Sequence, residues 1–142
     1  MDTWLKSKVE EMFNNNPLSS RLDISISLLD NGEVTMVMPI VNETHTNFYG
    51  FIHGGSFSTL VDSVMGVACL TVGKLVVTSD INMKFISNSK TTPAVTGVGR
   101  VIHNGKNLMV TEAEIRDENK RLLVKAQGSY FVQGSVKESM LA

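Results

Sequence analysis

In the stretch NFYGFIHGGSFSTLVD, residues 47–62, His53 stands before two glycines, and a carboxylate, Asp62, follows nine residues after the histidine. Gly54 and Gly55 have no side chain to shield their N–H groups. At the mouth of a helix such unpaired donors, together with the positive end of the helix dipole, can hold a developing oxyanion. His53 can donate to the same carbonyl. A carboxylate near such a site can activate water or attack an acyl carbon, so this spacing points to acyl chemistry.

These residues need a helix to carry them. From Ser56 to Val72 the chain reads SFSTLVDSVMGVACLTV, with apolar residues on every side of a helical wheel. A largely buried helix is expected, with Asp62 as its only charged residue. A buried carboxylate is costly unless something offsets it, so its presence asks for a partner. Ser58, Thr59, Met65 and Gly66 lie three or four positions away and form a small, partly polar stripe, suited to a cleft or another helix. Taken singly, Asp62 reads as a backbone-bonding carboxylate and the glycines as a bend. Taken together they favour a site. Along one helix Gly54 and Asp62 sit about 12 Å apart, more than one Asp side chain spans. A shared site therefore implies two subunits with antiparallel central helices.

The other elements read as follows. Trp4, Leu5, Val9, Met12 and Phe13 recur at helical spacing, in a helix that should end before Asn16-Pro17. Alternation at Ile24, Ile26 and Leu28, the turn Asp30-Asn31-Gly32, then Val34, Met36 and Met38 predict a β-hairpin. Residues 39–52 read as a loop. Strand-like runs follow over 75–86, 94–103, 107–116 and 122–132, separated by NSKTTP, HNGK and DENK. One long helix with about six mostly antiparallel strands is an α+β layout in which a sheet wraps the helix.

Composition narrows the possibilities. The chain has 142 residues, 42% of them hydrophobic and 19% charged, which suits one soluble domain over 1–142 with a single core. With no basic flank before an apolar run and no membrane-length apolar stretch, neither secretion nor insertion is expected, and a cytoplasmic location is. Cys69, the only cysteine, excludes an intrachain disulfide and a thiolate zinc cluster, and its neighbours make it core. Residues 1–71 carry three basic and eight acidic side chains, against ten basic and six acidic in 72–142. The basic excess, including Lys84, Lys90, Arg100 and Lys106, could serve a phosphate-bearing ligand, or merely line solvated strand faces. Without basic runs interleaved with aromatics, nucleic acid is disfavoured as a partner.

The element order, with H-G-G opening the long helix, resembles the hotdog fold. The residues resemble those of its phenylacetic-acid-degradation (PaaI-like) acyl-CoA thioesterases over nearly the whole chain. The most specific part is N-x-x-G-x-x-H-G-G followed by L-x-D: Asn47, Gly50, His53, Gly54, Gly55, Leu60 and Asp62. VTSDINMKF, HNGKN and AQGSYF match more loosely. The resemblance implies that Asp62 is the catalytic carboxylate and that Gly54 supplies an oxyanion N–H. His53 would bond the thioester carbonyl or fix the turn, Asn47 would place substrate or water, and Thr78 would bring a hydroxyl near the reacting centre. Coenzyme A, part of the substrate, would lie along Phe85, Ile86, Ser87, Asn88, Ser89 and Lys90 and along the turn His103, Asn104, Gly105, Lys106, Asn107 and Leu108. The resemblance implies no separate cofactor, and a homodimer with shared sites, to which pairing of dimers could add a tetramer.

Other chemistries fit less well. Ser56 lacks the G-x-S-x-G elbow of a serine hydrolase. His45, His53 and His103 lack metal-ligand spacing. Gly97 and Gly99 form a G-x-G inside a strand-like run, which predicts a strand bend rather than a nucleotide loop. An enoyl-thioester hydratase or dehydratase and a noncatalytic acyl-CoA binding module remain as alternatives. Phe48, Tyr49, Phe51, Phe57 and Met65 are candidates for an apolar acyl pocket or for core, and both aryl and medium-chain acyl groups suit them.

Overall fold

The computed structural model describes residues 1–137. Its elements run α1 (Thr3–Asn14), α2 (Pro17–Arg21), β1 (Ser25–Asp30), β2 (Glu33–Pro39), α3 (Asn42–His45), α4 (Gly54–Thr71), β3 (Lys74–Phe85), β4 (Ala94–Asn104), β5 (Leu108–Arg116) and β6 (Leu122–Ser135). The six strands form one sheet in the order β1-β2-β4-β5-β6-β3, every neighbouring pair antiparallel. The chain enters at one edge, crosses the sheet face as α4 and resumes at the other edge as β3.

Alternation decides which side faces α4. Val34, Met36 and Met38 of β2 and Met109, Thr111, Ala113 and Ile115 of β5 are buried every second residue. They pack against Phe57, Leu60, Val61, Val64 and Met65 of α4, all essentially inaccessible. At the β1–β2 turn Gly32 adopts φ +79°, a conformation that glycine takes without strain, and its N–H donates to Thr71 Oγ1 at 2.7 Å. This bond ties the hairpin to the C-terminal end of α4.

Three expectations need correction. Residues 39–52 are not simply a loop, because they hold the short helix α3 and the bridge Thr46–Ile52. A further helix, α2, follows α1, with Pro17 at its first turn and the Asn16 side chain accepting from the Ser19 N–H. Gly97 and Gly99 are not a bend, since β4 pairs in unbroken register through both with β2 and β5. They let the helix come close: a Cβ on Gly99 would lie 2.5 Å from the Val64 carbonyl, and one on Gly97 would lie 3.0 Å from the Leu60 side chain.

Candidate active site

Asp62 lies about halfway along α4 and is only half-buried. Its Oδ1 accepts from the Tyr130 hydroxyl at 2.7 Å and from the Thr78 hydroxyl at 2.9 Å. Oδ2 has no partner among the described residues. One carboxylate oxygen is thus fixed by β6 and β3 while the other remains available. Tyr130 is 1% exposed, and burial, followed by the negative charge of Asp62, pushes its phenol far above the ordinary range. It therefore stays a donor at any working pH. The stripe expected around Asp62 exists, as Ser58, Thr59, Ser63 and Gly66 face a cavity with it. Met65 does not join them, being wholly within the core.

The other end of the site is the start of α4. His53 is the N-cap, and its Nδ1 accepts from the Gly55 N–H at 2.8 Å. That bond assigns the proton of a neutral ring to Nε2, which can donate outward. It also removes the Gly55 N–H from the expected pair of oxyanion donors. Gly54 keeps an N–H with no partner among the described residues. Below this turn His45 is completely buried, its Nδ1 accepting from Val41 N–H at 3.0 Å and its Nε2 reaching the Leu22 carbonyl at 2.7 Å. The His45 carbonyl accepts from the His53 N–H at 2.9 Å and from the Ser56 hydroxyl at 3.0 Å. It is a strut under the His53-Gly54 corner. Asn47 shapes the adjoining loop, as its Oδ1 accepts from the N–H groups of Tyr49 at 2.9 Å and Phe51 at 3.1 Å. Only its amide nitrogen is left for a ligand.

One chain does not gather every candidate. The Phe85 ring adjoins Gly54, and Asn88 clamps Ile52 through two bonds of 3.0 Å, so the segment 85–90 flanks the His53 corner. Ile86 is exposed, Ser87 donates its N–H to Leu123, the Ser89 hydroxyl accepts from Thr91 and Thr92, and Lys90 sits 4.6 Å over the Phe51 ring. The turn from His103 to Leu108 is at the opposite end of β3, where Lys74 donates to the Gly105 carbonyl at 2.7 Å. Twelve strand residues separate the two regions, roughly 36 Å.

The cavity beside Asp62 has a volume of about 610 Å³ and is enclosed by α1, α2, α4 and β3, with Tyr130 in its wall. Of the five residues weighed between pocket and core, none lines this cavity. Phe57 and Met65 are core, whereas Phe48, Tyr49 and Phe51 are exposed on the loop. Sequence reasoning passed over Tyr130 and His45 as site residues. The available signal was that a buried Tyr or His must find polar partners.

A model of the thioesterase superfamily matches residues 49–124, more than half of the chain. The chain belongs to the thioesterase superfamily. In fold this thioesterase is similar to PaaI of Escherichia coli, from the phenylacetic acid degradation operon, with a TM-score of 0.87 at 22% identity over 94% of this chain and 96% of that one. The hotdog architecture expected of it is the one observed. It is also similar to a structure described as a hypothetical thioesterase with coenzyme A from Streptococcus pneumoniae, with a TM-score of 0.79 and 27% identity over 83% of this chain and 92% of the other. By sequence it is 32% identical to acyl-coenzyme A thioesterase 13 of Homo sapiens across 96 residues, 66% of this thioesterase and 64% of that protein. Among the described residues no helix is long and apolar enough to cross a membrane.

Proposed function

We propose that this thioesterase hydrolyses acyl-CoA to a free acid and coenzyme A, with Asp62 as general base or nucleophile. The observation that carries the reading is the Asp62 carboxylate, held at Oδ1 by Tyr130 and Thr78 and free at Oδ2, on the wall of a cavity. In the general-base route, Asp62 takes a proton from water as the water oxygen attacks the thioester carbon. Charge develops on the carbonyl oxygen, where the Gly54 N–H and the His53 Nε2–H can receive it. Collapse expels the thiolate of coenzyme A, which then takes up a proton. In the nucleophilic route Oδ2 attacks the thioester carbon first, the carbon–sulfur bond breaks to release the coenzyme A thiolate, which takes up a proton, and water hydrolyses the resulting anhydride. Asn47 contributes its amide N–H groups to the substrate or the water. The reading needs no metal or separate cofactor and takes the enzyme as cytoplasmic.

The site in this reading is shared by two copies. Gly54 and Asp62 lie eight residues apart on α4, about 12 Å along the axis. β3 is an edge strand, paired on one side with β6. A second copy laid antiparallel along the free edge would bring its 103–108 turn to the end where the first copy holds residues 85–90. That arrangement unites the two segments expected to hold coenzyme A, and it would set the His53-Gly54 corner of one copy toward Asp62 of the other. A homodimer is the minimum assembly in this reading, and pairing of dimers could add a tetramer.

The test is release of coenzyme A thiol from aryl-, short-, medium- and long-chain acyl-CoAs by wild type and by Asp62→Asn. Turnover by wild type that falls at least about a hundredfold in a folded variant is expected. Near-normal hydrolysis by the variant would remove Asp62 from the mechanism. Binding without thiol release by wild type would favour a hydratase or a binding module. A single turnover in ¹⁸O-water tests for the anhydride route, because water attack on the Asp62 carbonyl carbon of the anhydride leaves ¹⁸O in Asp62 and an unlabelled Asp62 oxygen in the first product, whereas the general-base route places ¹⁸O in the product.

A further inference from the structure

We propose that the cavity under α1 and α2 is the acyl chamber, that it takes uncharged apolar acyl groups, and that Gly66 and Leu18 set the size it admits. The inference rests on the acyl-CoA hydrolase reading and extends it to the substrate class.

Asp62 opens directly into this cavity, and from Asp62 through Gly66 to Leu70 the lining follows one face of α4 for about 12 Å. A thioester whose carbonyl carbon lies at Oδ2 can therefore lay its acyl group along the same face. The opposing wall is mostly apolar, with Met12 from α1, Leu18 from α2, and Val77 and Ile81 from β3, and Asn16, Ser19 and Thr78 are its polar members. At about 610 Å³ the space lies within the usual range of small-molecule sites.

Charge restricts what enters. Among the described residues Asp62 is the only charged one in the lining, with no cation beside it to offset a second carboxylate. The hydroxyls on the α4 side do not serve as donors to a ligand. Ser58 donates to the Gly54 carbonyl at 2.8 Å, Thr59 to the Gly55 carbonyl at 2.9 Å and Ser63 to the Thr59 carbonyl at 2.6 Å. Because the Ser63 proton is committed to Thr59, Ser19 is the donor in the 3.0 Å Ser19–Ser63 pair. That pair fastens α2, which carries Leu18, to α4 next to Asp62. An acyl tail ending in a carboxylate would meet one carboxylate and no free α4 donor.

Gly66 is one helical turn past Asp62. A Cβ there meets only the Tyr130 ring edge, at an ordinary 3.7 Å. A longer side chain would grow into the chamber with little disturbance of the core, and replacing a helix-interior glycine favours the helix. Leu18 lines the same space while 56% exposed, as expected of a rim residue. Truncating it opens the chamber at little cost to folding.

Saturated acyl-CoAs from acetyl to palmitoyl, and ω-carboxyacyl-CoAs of matching length, would be assayed with wild type, Gly66→Leu and Leu18→Ala, with melting temperatures as the folding control. Wild type should favour the uncharged member of each pair by about tenfold or more in kcat/KM. Gly66→Leu should lose about tenfold or more on the longest substrates wild type accepts while keeping the shortest within about threefold, since each methylene in such a pocket matters by about tenfold. Leu18→Ala should shift the optimum to longer chains. Unchanged length preference in both folded variants, or equal use of ω-carboxylates, would overturn the proposal. If wild type releases no thiol from any member, the hydrolase reading fails, and the chamber is judged by binding of the same series, where the same ratios are required.

Discussion

Replacing Tyr130 with Phe removes one oxygen atom and leaves the buried ring in place against Gly66. Its hydroxyl donates to Asp62 Oδ1 at 2.7 Å and also lies 3.2 Å from the Asp62 carbonyl. A hydrogen bond to a charged group contributes about 1.5–3 kcal/mol. Asp62 is half-buried and keeps the Thr78 bond at 2.9 Å, so the lower end of that range applies. About 1.5 kcal/mol of lost orientation corresponds to roughly tenfold in kcat, and 1 kcal/mol of stability to a fall of about 2–4 °C in Tm at this chain length. KM should stay within about twofold, since in this reading Tyr130 orients the carboxylate rather than the substrate. Thr78→Val should do less than Tyr130→Phe, because its bond is longer and more exposed. The double variant should lose more than the product of the two single effects, because either donor alone can still hold Oδ1. The assay is thiol release under saturating substrate, with thermal melts run on the same preparations. If both single variants and the double variant retain kcat within about twofold of wild type, fixation of Oδ1 is irrelevant to turnover and the reasoning from these two bonds fails.

Three further outcomes are expected. Gly99→Ala forces a methyl to within 2.5 Å of the Val64 backbone, so it should destabilise by about 3 kcal/mol or more, seen as a large drop in Tm or as insoluble protein. His45→Leu strands the Val41 N–H and the Leu22 carbonyl and should cost about 2–4 kcal/mol in denaturant titration, whereas His45→Gln, which can both accept and donate, should recover at least half of that. Burial raises the Cys69 thiol from 9.0 to about 12, so Ellman's reagent at pH 8 should label only unfolded protein. The corresponding stability is fully present below pH 9 and is lost as pH rises from 9 toward 12, where the unfolded chain has released a proton that the native thiol retains. Rapid labelling of native protein, or a urea midpoint that does not fall across that window, would contradict the burial of Cys69.

What could be read from the sequence followed from local rules. The apolar wheel of α4 with a single Asp, the period-two burial of Val34, Met36 and Met38, and the Asn31-Gly32 turn each carry their signal within a few residues. The H-G-G corner is equally local, and His53 does cap the helix there. The partners of Asp62 are not local in the same sense. Tyr130 is 68 residues away and Thr78 is 16, and no spacing rule links them. The Gly55 donor was miscounted because capping by His53 depends on a ring orientation that composition does not encode. The choice between pocket and core stayed open for a related reason. Phe57 and Met65 look the same in sequence whether they turn toward the sheet or toward solvent, and only the packing of α1 and α2 over one face of α4 creates the space. The two glycines of β4 record how closely the helix approaches, a distance that becomes visible only when both elements are in place.

Thr78 belongs to β3, the strand whose outer edge is unpaired within the chain, and its hydroxyl reaches back to Asp62. Assembly and catalysis are then not separable variables in the proposed dimer. A ligand that bridges both copies must tighten their association by the same factor by which association tightens the ligand. Dilution would act as an inhibitor and substrate as a cross-linker, so specific activity measured across protein concentration would report the strength of the β3 edge.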